Sequence, residues 1–242
     1  MQTDLSRTAE FSAQIADAIR AAILSGDLAA DQRLPSEAEL CARFNVSRPT
    51  IREALKRLAA QNLIRTERGA SGGAFVARPS FEQSRAQLVS TATLLLSLNA
   101  VDFQTAVEAR FALERACLPL VCKRRTPRDL ATMRAEIARQ ATDGLSDVDF
   151  CASDVAFHRA LVESAGNPVL TWHVVGAIEA MQPLVNMITY SARSRARIVE
   201  MHSDLVNALD AGKAKAAGAA LDALAEHLSA LGAKVMAARA AK

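Results

Sequence analysis

Aromatic residues are scarce in this chain of 242 residues: one tryptophan, one tyrosine and eight phenylalanines make up 4% of it. Glycine and proline are also few, at ten and seven residues. Half of the residues are nevertheless hydrophobic and alanine is frequent, so a substantial core has to be built from small and aliphatic side chains. Such a balance favours helices that pack closely together.

Paired cysteines and long apolar runs are also missing. The four cysteines form no C-x-x-C motif, which is typical of buried, reduced thiols in a reducing compartment; they are Cys41, Cys117, Cys122 and Cys151. No apolar run reaches the roughly 18 residues that a membrane helix needs. Met1–Arg20 lacks the basic and hydrophobic pattern of a signal peptide. We therefore expect a cytoplasmic protein that does not associate with a membrane.

A strong charge of one sign is absent as well. The net charge is only +3, and residues 1–80 hold 11 Lys and Arg against 9 Asp and Glu, a net charge of +2. This balance excludes a protein that coats nucleic acid through a generally basic surface. Any contact with nucleic acid must therefore come from a local group of basic residues.

A capping box and a turn residue mark two short helices between Leu34 and Gln61. Ser36 is followed three residues later by Glu39, a pattern that begins a helix. Asn45 tolerates the left-handed conformation that ends one, and Ser47 is placed to cap the next. Two short helices joined by such a turn form a helix-turn-helix.

The second of these helices has an apolar side and a basic side. Its predicted buried stripe follows the spacing i, i+4, i+7 and consists of Ile51, Leu55 and Leu58. The predicted exposed side carries Arg48, Thr50, Arg52, Lys56 and Arg57. This division is typical of a recognition helix that enters a DNA groove. An ordinary surface helix with solvated arginines has the same spacing, so the pattern alone leaves both interpretations open.

A glycine-rich hairpin is predicted directly after the two helices. Leu63–Arg68 has the pattern of a strand, Gly69–Gly73 that of a turn, and Ala74–Val76 that of a short returning strand. A backbone rich in glycine can approach a minor groove closely. The hairpin is therefore predicted to be the wing of a winged helix-turn-helix.

The rest of the chain shows helical patterns only. We predict seven helices there, including one that begins at Pro127 and one that begins near Pro168 and is kinked at Pro183. The predicted organisation is a DNA-binding domain over residues 1–77, a linker over 78–84 and an all-helical domain over 85–242. The fold class is mostly α: an N-terminal winged helix-turn-helix followed by a C-terminal bundle of seven helices.

Four polar side chains lie on apolar faces of the predicted bundle. Asp154 and His158 are four residues apart and share one helical face, where buried polar groups need a partner. His202 and His227 lie on the apolar sides of two later helices. Imidazole and carboxylate suit Zn²⁺, Ni²⁺, Mn²⁺ or Fe²⁺ better than Ca²⁺. Their spacing allows either one shared ion or separately satisfied core residues.

The helix-turn-helix and hairpin together resemble the winged helix of the GntR family. The resemblance covers about residues 10–77 and rests on LPSEAEL at Leu34, VSRPTIREALKRL at Val46 and the wing ending in AFV at Val76. It implies DNA contacts from the two helices and a wing that reaches the minor groove. The residues implicated are Ser36, Ser47, Arg48, Thr50, Arg52, Arg68 and Gly69.

The second half is similar to the FCD ligand-sensing domain of the FadR subfamily. The residues that carry this resemblance are VEARFALE at Val107–Glu114, DVAFH at Asp154–His158 and SAGNPVL at Ser164–Leu170. The resemblance implies one divalent transition metal, with Zn²⁺ first and Ni²⁺, Mn²⁺ or Fe²⁺ as alternatives, held by Asp154, His158, His202 and His227. It also implies that Arg110 holds an organic-acid effector.

Together these features predict a homodimeric transcriptional regulator, expected to be a repressor. It would bind an inverted repeat in double-stranded DNA and respond to a small carboxylate. Two alternatives stay open: an enzyme in which the metal activates water, and a metal that only stabilises the bundle. No candidate base lies beside the metal residues and no glycine-rich phosphate loop occurs, so an enzyme is disfavoured. Operator affinity measured with added carboxylates separates regulation from a structural metal.

Overall fold

The computed structural model divides the chain into two compact units, Met1–Ser80 and Phe81–Lys242. The residues it describes are 2–69, 72–78, 80–98, 101–189 and 194–240. This part of the chain contains ten helices and one antiparallel sheet of two strands. The predicted fold class, mostly α with a small β wing, is confirmed.

Three helices and a hairpin make up the first unit. They are α1 (Gln2–Ser25), α2 (Glu37–Phe44), α3 (Arg48–Ala60), β1 (Ile64–Glu67) and β2 (Gly73–Val76). Each element contributes apolar side chains to one core, among them Ile19, Leu40, Ile51, Leu58, Ile64 and Val76. The unit therefore buries the helix-turn-helix against both α1 and the hairpin.

The predicted capping box at the start of α2 is confirmed. The Glu39 backbone N–H donates to the Ser36 hydroxyl at 3.3 Å, and the Ser36 N–H donates to the Glu39 carboxylate at 2.7 Å. Asn45 ends the helix with a φ of 53°, in the left-handed region. These contacts satisfy backbone groups that have no partner inside a short helix. They fix the position of the turn that leads into α3.

The capping predicted for α3 is only partly correct. Ser47 occupies the N-cap position, but its side chain caps no backbone N–H. Its hydroxyl instead lies 2.9 Å from the hydroxyl of Thr50. Thr50 is 4% exposed, so the prediction that it lies on the exposed side of the helix is wrong. The contact with Ser47 gives the hydroxyl of the buried Thr50 a hydrogen-bond partner at the start of the helix.

The hairpin has the register expected of a short wing. Ile64 pairs with Val76 at its base and Glu67 pairs with Gly73 towards its tip. The side chain of Arg33 donates from Nη2 to the Gly72 carbonyl at 2.5 Å and so ties the hairpin to the loop before α2. Two residues of the predicted turn, at positions 70 and 71, lie outside the described residues.

Seven helices make up the described part of the second unit, as predicted. They are α4 (Phe81–Ser97), α5 (Phe103–Arg124), α6 (Pro127–Gln140), α7 (Asp147–Glu163), α8 (Pro168–Thr189), α9 (Arg195–Asp210) and α10 (Ala214–Ala240). Local capping explains several of their starts: Asp102, Thr126 and Ser146 each accept a backbone N–H from the first turn. The helix α8 runs through Pro183, where the sequence predicts a kink.

The predicted linker over residues 78–84 is too long at its C-terminal end. The helix α4 begins at Phe81, so residues 81–84 are helical. Glu82 in its first turn bonds Arg85 at 2.6 Å, and Arg85 also bonds Glu179 of α8 at 3.0 Å. An acidic residue near a helix N-terminus is favourable, and the bond to α8 holds this turn against the bundle. The residues around α4 do not predict the contact with Glu179, because Glu179 lies 94 residues away from Arg85.

The core of the second unit is mostly apolar, but it also holds a group of buried residues that carry charge or can carry it. Phe150, Phe157, Leu161, Leu205 and Leu209 are all fully buried between the helices. Among them lie four buried groups that carry charge or can carry it: Arg110, Glu114, His158 and His202. Buried polar groups are costly unless they are paired, so this group calls for a structural or functional explanation.

No helix in the described ranges combines the length and the apolar character that a bilayer crossing requires.

Candidate metal centre and nucleic-acid interface

The helices α7 and α9, which both pack against α5 and α6, bring three potential metal ligands together. Asp154 and His158 share one face of α7, and His202 projects from α9. One donor atom from each residue lies within 4.8 Å of the others. The Nε2 atom of His202 is 3.7 Å from Oδ1 of Asp154. Three of the four residues predicted to bind metal therefore converge.

Each of the two buried histidines is oriented by an acceptor at Nδ1. Nδ1 of His158 lies 2.6 Å from Oε2 of Glu114, and Nδ1 of His202 lies 2.9 Å from Oε1 of Gln140. Because these oxygens accept hydrogen bonds, each ring places a proton on Nδ1, and in its neutral form it keeps a lone pair on Nε2. Histidines that bind metals are usually oriented in this way by a second partner.

The Nε2 atoms of His202 and His227 are buried and have no hydrogen-bond partner among the described residues. The 3.7 Å separation between His202 and Asp154 is too long for a hydrogen bond. A buried polar atom without a partner costs about 1–3 kcal/mol. A cation between the imidazole and the carboxylate would remove that cost. This donor set therefore fits a divalent transition metal.

Burial also keeps His202 in the form that binds metal. It lowers the pKa of His202 to about 3, and the nearby charge of His158 adds to the effect while Asp154 opposes it. Burial likewise lowers the pKa of His227, with a contribution from the charge of Arg197. At neutral pH a metal need not displace a proton from His202, because its imidazole is already neutral.

His227 faces the same cavity from another helix. The cavity has a volume of about 30 Å³, and Asp154, His158, His227 and Arg110 line it. His227 is not part of the group of three donors that lie within 4.8 Å of one another. The sequence pattern places His227 on the apolar face of α10. Its distance from Asp154, His158 and His202 depends on how α10 packs against the other helices.

Arg110 forms an ion pair within its own helix and also lines the cavity. Its Nε donates to Oε1 of Glu114 at 2.8 Å, which is the intrahelical ion pair expected at a spacing of four residues. The same side chain is 1% exposed and lines the cavity. Arg110 is therefore held at Nε by Glu114 and lines the cavity together with Asp154 and His158.

Glu114 connects the arginine to the histidine, a role that the sequence analysis did not assign. Its two oxygens contact Arg110 and His158 separately, and it is fully buried. Burial raises the pKa of Glu114, but the charges of His158 and Arg110 and their hydrogen bonds outweigh it and lower the pKa to about 2. Glu114 is thus ionised. The sequence signals only its pairing with Arg110, because His158 lies 44 residues away.

Aromatic packing fixes the two imidazole rings. Phe157 stacks on His202 with ring centroids 3.9 Å apart and meets His158 edge-on at 5.3 Å. Phe157 and Gln140 are further residues that the sequence analysis did not single out. Phe157 lies inside the DVAFH motif, which could have suggested a role beside the site. Gln140 has no comparable local signal.

The exposed side of α3 presents the predicted DNA-reading arginines. Arg48 and Arg52 are both exposed. The Nε atom of Arg52 bonds the two oxygens of the Glu37 carboxylate at 2.9 and 3.1 Å, so this arginine has a partner in the protein. Arg68 and Gly69 are exposed at the end of the first wing strand, where Gly69 adopts a φ of 111° that favours glycine.

The three hydroxyl groups predicted to contact DNA already make hydrogen bonds. The hydroxyl of Ser36 donates to the Glu39 carboxylate at 2.7 Å within the capping box, although Ser36 is exposed. Ser47 is exposed and bonded to the buried Thr50. Thr50 therefore supports the start of the helix, while Ser36 and Ser47 remain exposed.

Comparison with known proteins agrees with both units. The family model described as "Bacterial regulatory proteins, gntR family" matches residues 11–76, and the FCD domain model matches residues 105–230. The putative L-lactate dehydrogenase operon regulatory protein of Escherichia coli K12 is 30% identical over 228 residues, which cover 90% of this chain and 83% of that protein. The transcriptional repressor NanR of Salmonella bongori is 35% identical over 142 residues, covering 57% of this chain and 51% of NanR.

A solved structure supports the fold. The Streptococcus agalactiae GntR structure aligns with 91% of this chain and 98% of its own length, at a TM-score of 0.51 and 22% sequence identity. Proteins of this family are transcriptional regulators and not enzymes. The two domain matches, in this order and over most of the chain, show that the protein belongs to the gntR family of bacterial DNA-binding regulators and carries an FCD ligand-binding domain.

Proposed function

We propose that this regulator is a repressor whose operator binding is controlled by a small carboxylate bound beside a divalent transition metal in its helical unit. The observation that carries the proposal is the buried Nε2 of His202, which has no hydrogen-bond partner in the described structure and faces Asp154. Arg110 lines the cavity next to them. A cation site and a guanidinium group at one cavity form a natural clamp for a carboxylate.

The metal would be bound mainly by Asp154, His158 and His202. His227 faces the cavity from α10. Zn²⁺ is the first choice because the donor set contains two or three imidazoles and one carboxylate. When bound, the metal supplies a Lewis acid to which carboxylate oxygens can coordinate. Glu114 and Gln140 contact Nδ1 of His158 and of His202 and so hold these two rings in place.

The names of the relatives support the regulatory part of the proposal. NanR is described as a transcriptional repressor, and the Escherichia coli relative is described as a regulator of an L-lactate dehydrogenase operon. Repression and a carboxylate effector for the present chain are inferences that rest on these descriptions and on the chemistry of the cavity.

A direct test measures operator binding by fluorescence anisotropy, on a DNA site first selected from a random pool. Untagged protein is compared after chelation and after loading with Zn²⁺, with and without small carboxylates. We expect a carboxylate to change operator affinity about 5–150-fold, but only in the loaded protein, since couplings between sites are typically 1–3 kcal/mol. If loading raises stability while no carboxylate changes DNA affinity, the metal is structural and the proposal fails.

Arg48→Ala should weaken operator binding by about 1–3 kcal/mol and relax specificity at one base pair. This is the expected loss for an arginine that reads a guanine through two hydrogen bonds. The measurement is anisotropy on the operator and on variants with single base changes. Lys123→Ala removes the same charge from an exposed position of the helical unit and is the matched control. An equal loss on operator and random DNA would show that Arg48 contacts phosphate instead.

Leu95→Glu combined with Leu98→Glu should convert a dimer into a monomer at micromolar concentration. A single recognition helix reads few base pairs, so a two-fold dimer on an inverted repeat is the expected functional form. Leu94, Leu95 and Leu98 are 58%, 50% and 68% exposed on α4, which suggests where a second copy packs. Sedimentation velocity gives the mass. Val148→Glu changes another exposed apolar residue and should leave the dimer intact.

A further inference from the structure

We infer that Arg33, which precedes α2, is a positioning residue for the wing: it holds the end of the hairpin in the form that lets Arg68 contact DNA. The inference rests on the DNA-binding activity of the winged helix and is independent of the candidate metal centre. Its basis is a side-chain contact that reaches the wing tip, defined as the described residues Arg68, Gly69, Gly72 and Gly73.

The backbone at Arg33 is fixed by pairing with the second wing strand. Arg33 forms an antiparallel bridge with Phe75, and the neighbouring Leu34 N–H donates to the Ala74 carbonyl at 2.8 Å. Leu34 is buried in the core of the unit, whereas Arg33 is exposed. Neighbouring side chains of an extended chain point to opposite faces. The side chain of Arg33 therefore starts from a fixed backbone and extends along the solvent side of the hairpin.

The guanidinium group of Arg33 lies against two glycines of the wing tip. Its Nη2 donates to the Gly72 carbonyl at 2.5 Å. A Cβ atom added at Gly73 would lie 3.0 Å from Nε of Arg33, so the lack of a side chain at this position makes room for the guanidinium. A hydrogen bond from a charged donor is roughly twice as strong as a neutral one. Arg33 thus joins the chain that leads into α2 to the wing tip.

The wing tip extends beyond the strand ladder. The last pair of the ladder is Glu67 with Gly73. Beyond that pair, the Gly72 N–H donates to the Gly69 carbonyl at 3.0 Å. Glycine loses more conformational freedom on ordering than any other residue. A contact from outside the hairpin that orders these glycines in the free protein therefore reduces the entropy that DNA binding would otherwise lose.

The order of the wing tip affects DNA binding because Arg68 belongs to it. Arg68 is exposed and directly precedes Gly69. Gly69 is bonded to Gly72, and the Gly72 carbonyl is bonded to Arg33. The negative potential of a narrow minor groove attracts an inserted arginine, but this attraction acts fully only when the backbone directs the side chain into the groove. Arg33 sets that direction for Arg68 without touching DNA itself.

The test is a double-mutant cycle on the full-length, untagged protein, with operator affinity measured by fluorescence anisotropy at several salt concentrations. Arg68→Ala should weaken binding about 5–150-fold, the loss expected for one arginine contact. Arg33→Ala should weaken it about three- to tenfold, as expected for one lost hydrogen bond that orders the wing tip. In the Arg68→Ala background, Arg33→Ala should add less than about 1.5-fold, because the side chain that it positions is gone.

Salt dependence separates positioning from a direct contact. Each phosphate contact contributes about one unit to the slope of log affinity against log salt concentration. We expect Arg33→Ala to leave this slope unchanged in the Arg68→Ala background. Hydroxyl-radical footprinting, which reports on the minor groove, gives a second measurement. The protection that is lost in Arg68→Ala should also fade in Arg33→Ala, while the remaining protection persists.

Two further variants serve as rescue and control. Arg33→Lys keeps the charge and an N–H donor on a side chain of similar length, so it should bind the operator more tightly than Arg33→Ala. Arg43→Ala removes an exposed charge from the last turn of α2, at the other end of this helix from Arg33. Its effect should add to that of Arg68→Ala, because it does not act through the wing tip. Circular dichroism and melting curves confirm that every variant folds.

Three results would overturn the inference. If Arg33→Ala weakens binding equally with and without Arg68, or lowers the salt slope in both backgrounds, Arg33 contacts DNA directly. If Arg33→Ala leaves operator affinity and the footprint unchanged, the contact with Gly72 does not position the wing. If Arg68→Ala has no effect on affinity, Arg68 does not contact DNA and Arg33 has nothing to position.

Discussion

His202→Ala should remove the bound metal from the protein and lower its affinity for Zn²⁺ by a factor on the order of a hundred or more. His202 supplies a neutral imidazole whose Nε2 faces Asp154, and it projects from a different helix than Asp154 and His158. Without His202, only Asp154 and His158 remain of the three donors that lie close together. Changes to residues that merely orient metal ligands already cost 10–100-fold, so loss of a ligand should cost at least as much.

The measurement is elemental analysis of protein purified without a histidine tag, together with the melting temperature before and after Zn²⁺ is added. His173→Ala is the control, because His173 is exposed and does not line the cavity. In His202→Ala the added metal should no longer raise the melting temperature, while binding of the DNA-binding unit to operator should persist. A wild-type protein that carries no metal and gains no stability from Zn²⁺, Ni²⁺ or Mn²⁺ would contradict the assignment.

Glu114→Gln should lower the free energy of unfolding by about 3–5 kcal/mol, the usual cost of removing one partner from a buried ion pair. The variant keeps the shape of the side chain but leaves Arg110 buried without a counter-charge, and Arg110 is 1% exposed. For a protein of this size, that loss corresponds to a fall in melting temperature of roughly 6–20 °C. Metal affinity should also fall, about 10–100-fold, because His158 loses the carboxylate that orients it.

Thermal and denaturant unfolding of the metal-free protein measure this effect. Glu82→Gln is a suitable control, since it removes an acid that also pairs with an arginine but is 77% exposed. Exposed pairs contribute only about 0–1 kcal/mol. Equal losses in the two variants would show that the Arg110–Glu114 pair contributes no more than a surface contact.

Acid titration gives an independent signature of Glu114. Its pKa in the folded protein is lowered to about 2 from an ordinary value of 4.5. On acidification the unfolded chain therefore takes up this proton first, so the stability that Glu114 contributes is present above pH 4.5 and is lost as the pH falls towards 2. The Glu114→Gln variant should lack this part of the acid destabilisation.

The sequence determined those features that depend on residues within one or two helical turns of each other. The capping box of Ser36 and Glu39 spans three residues, and Asn45 needs only its own backbone conformation to end the helix. The pairing of Asp154 with His158 on one face follows from the helical repeat alone. Such features are predictable because local backbone geometry fixes the distances.

Tertiary packing decided everything that joins residues far apart in the chain. Glu114 meets His158 across 44 residues, and Gln140 meets His202 across 62. The burial of Thr50 and the separation of His227 from the close group also depend on which helix faces come together. A helical pattern shows which side of a helix is buried, but not its rotation or height against its neighbours. Those two quantities set the distances from His202 and His227 to the two residues of α7, because only the packed core brings these three helices together.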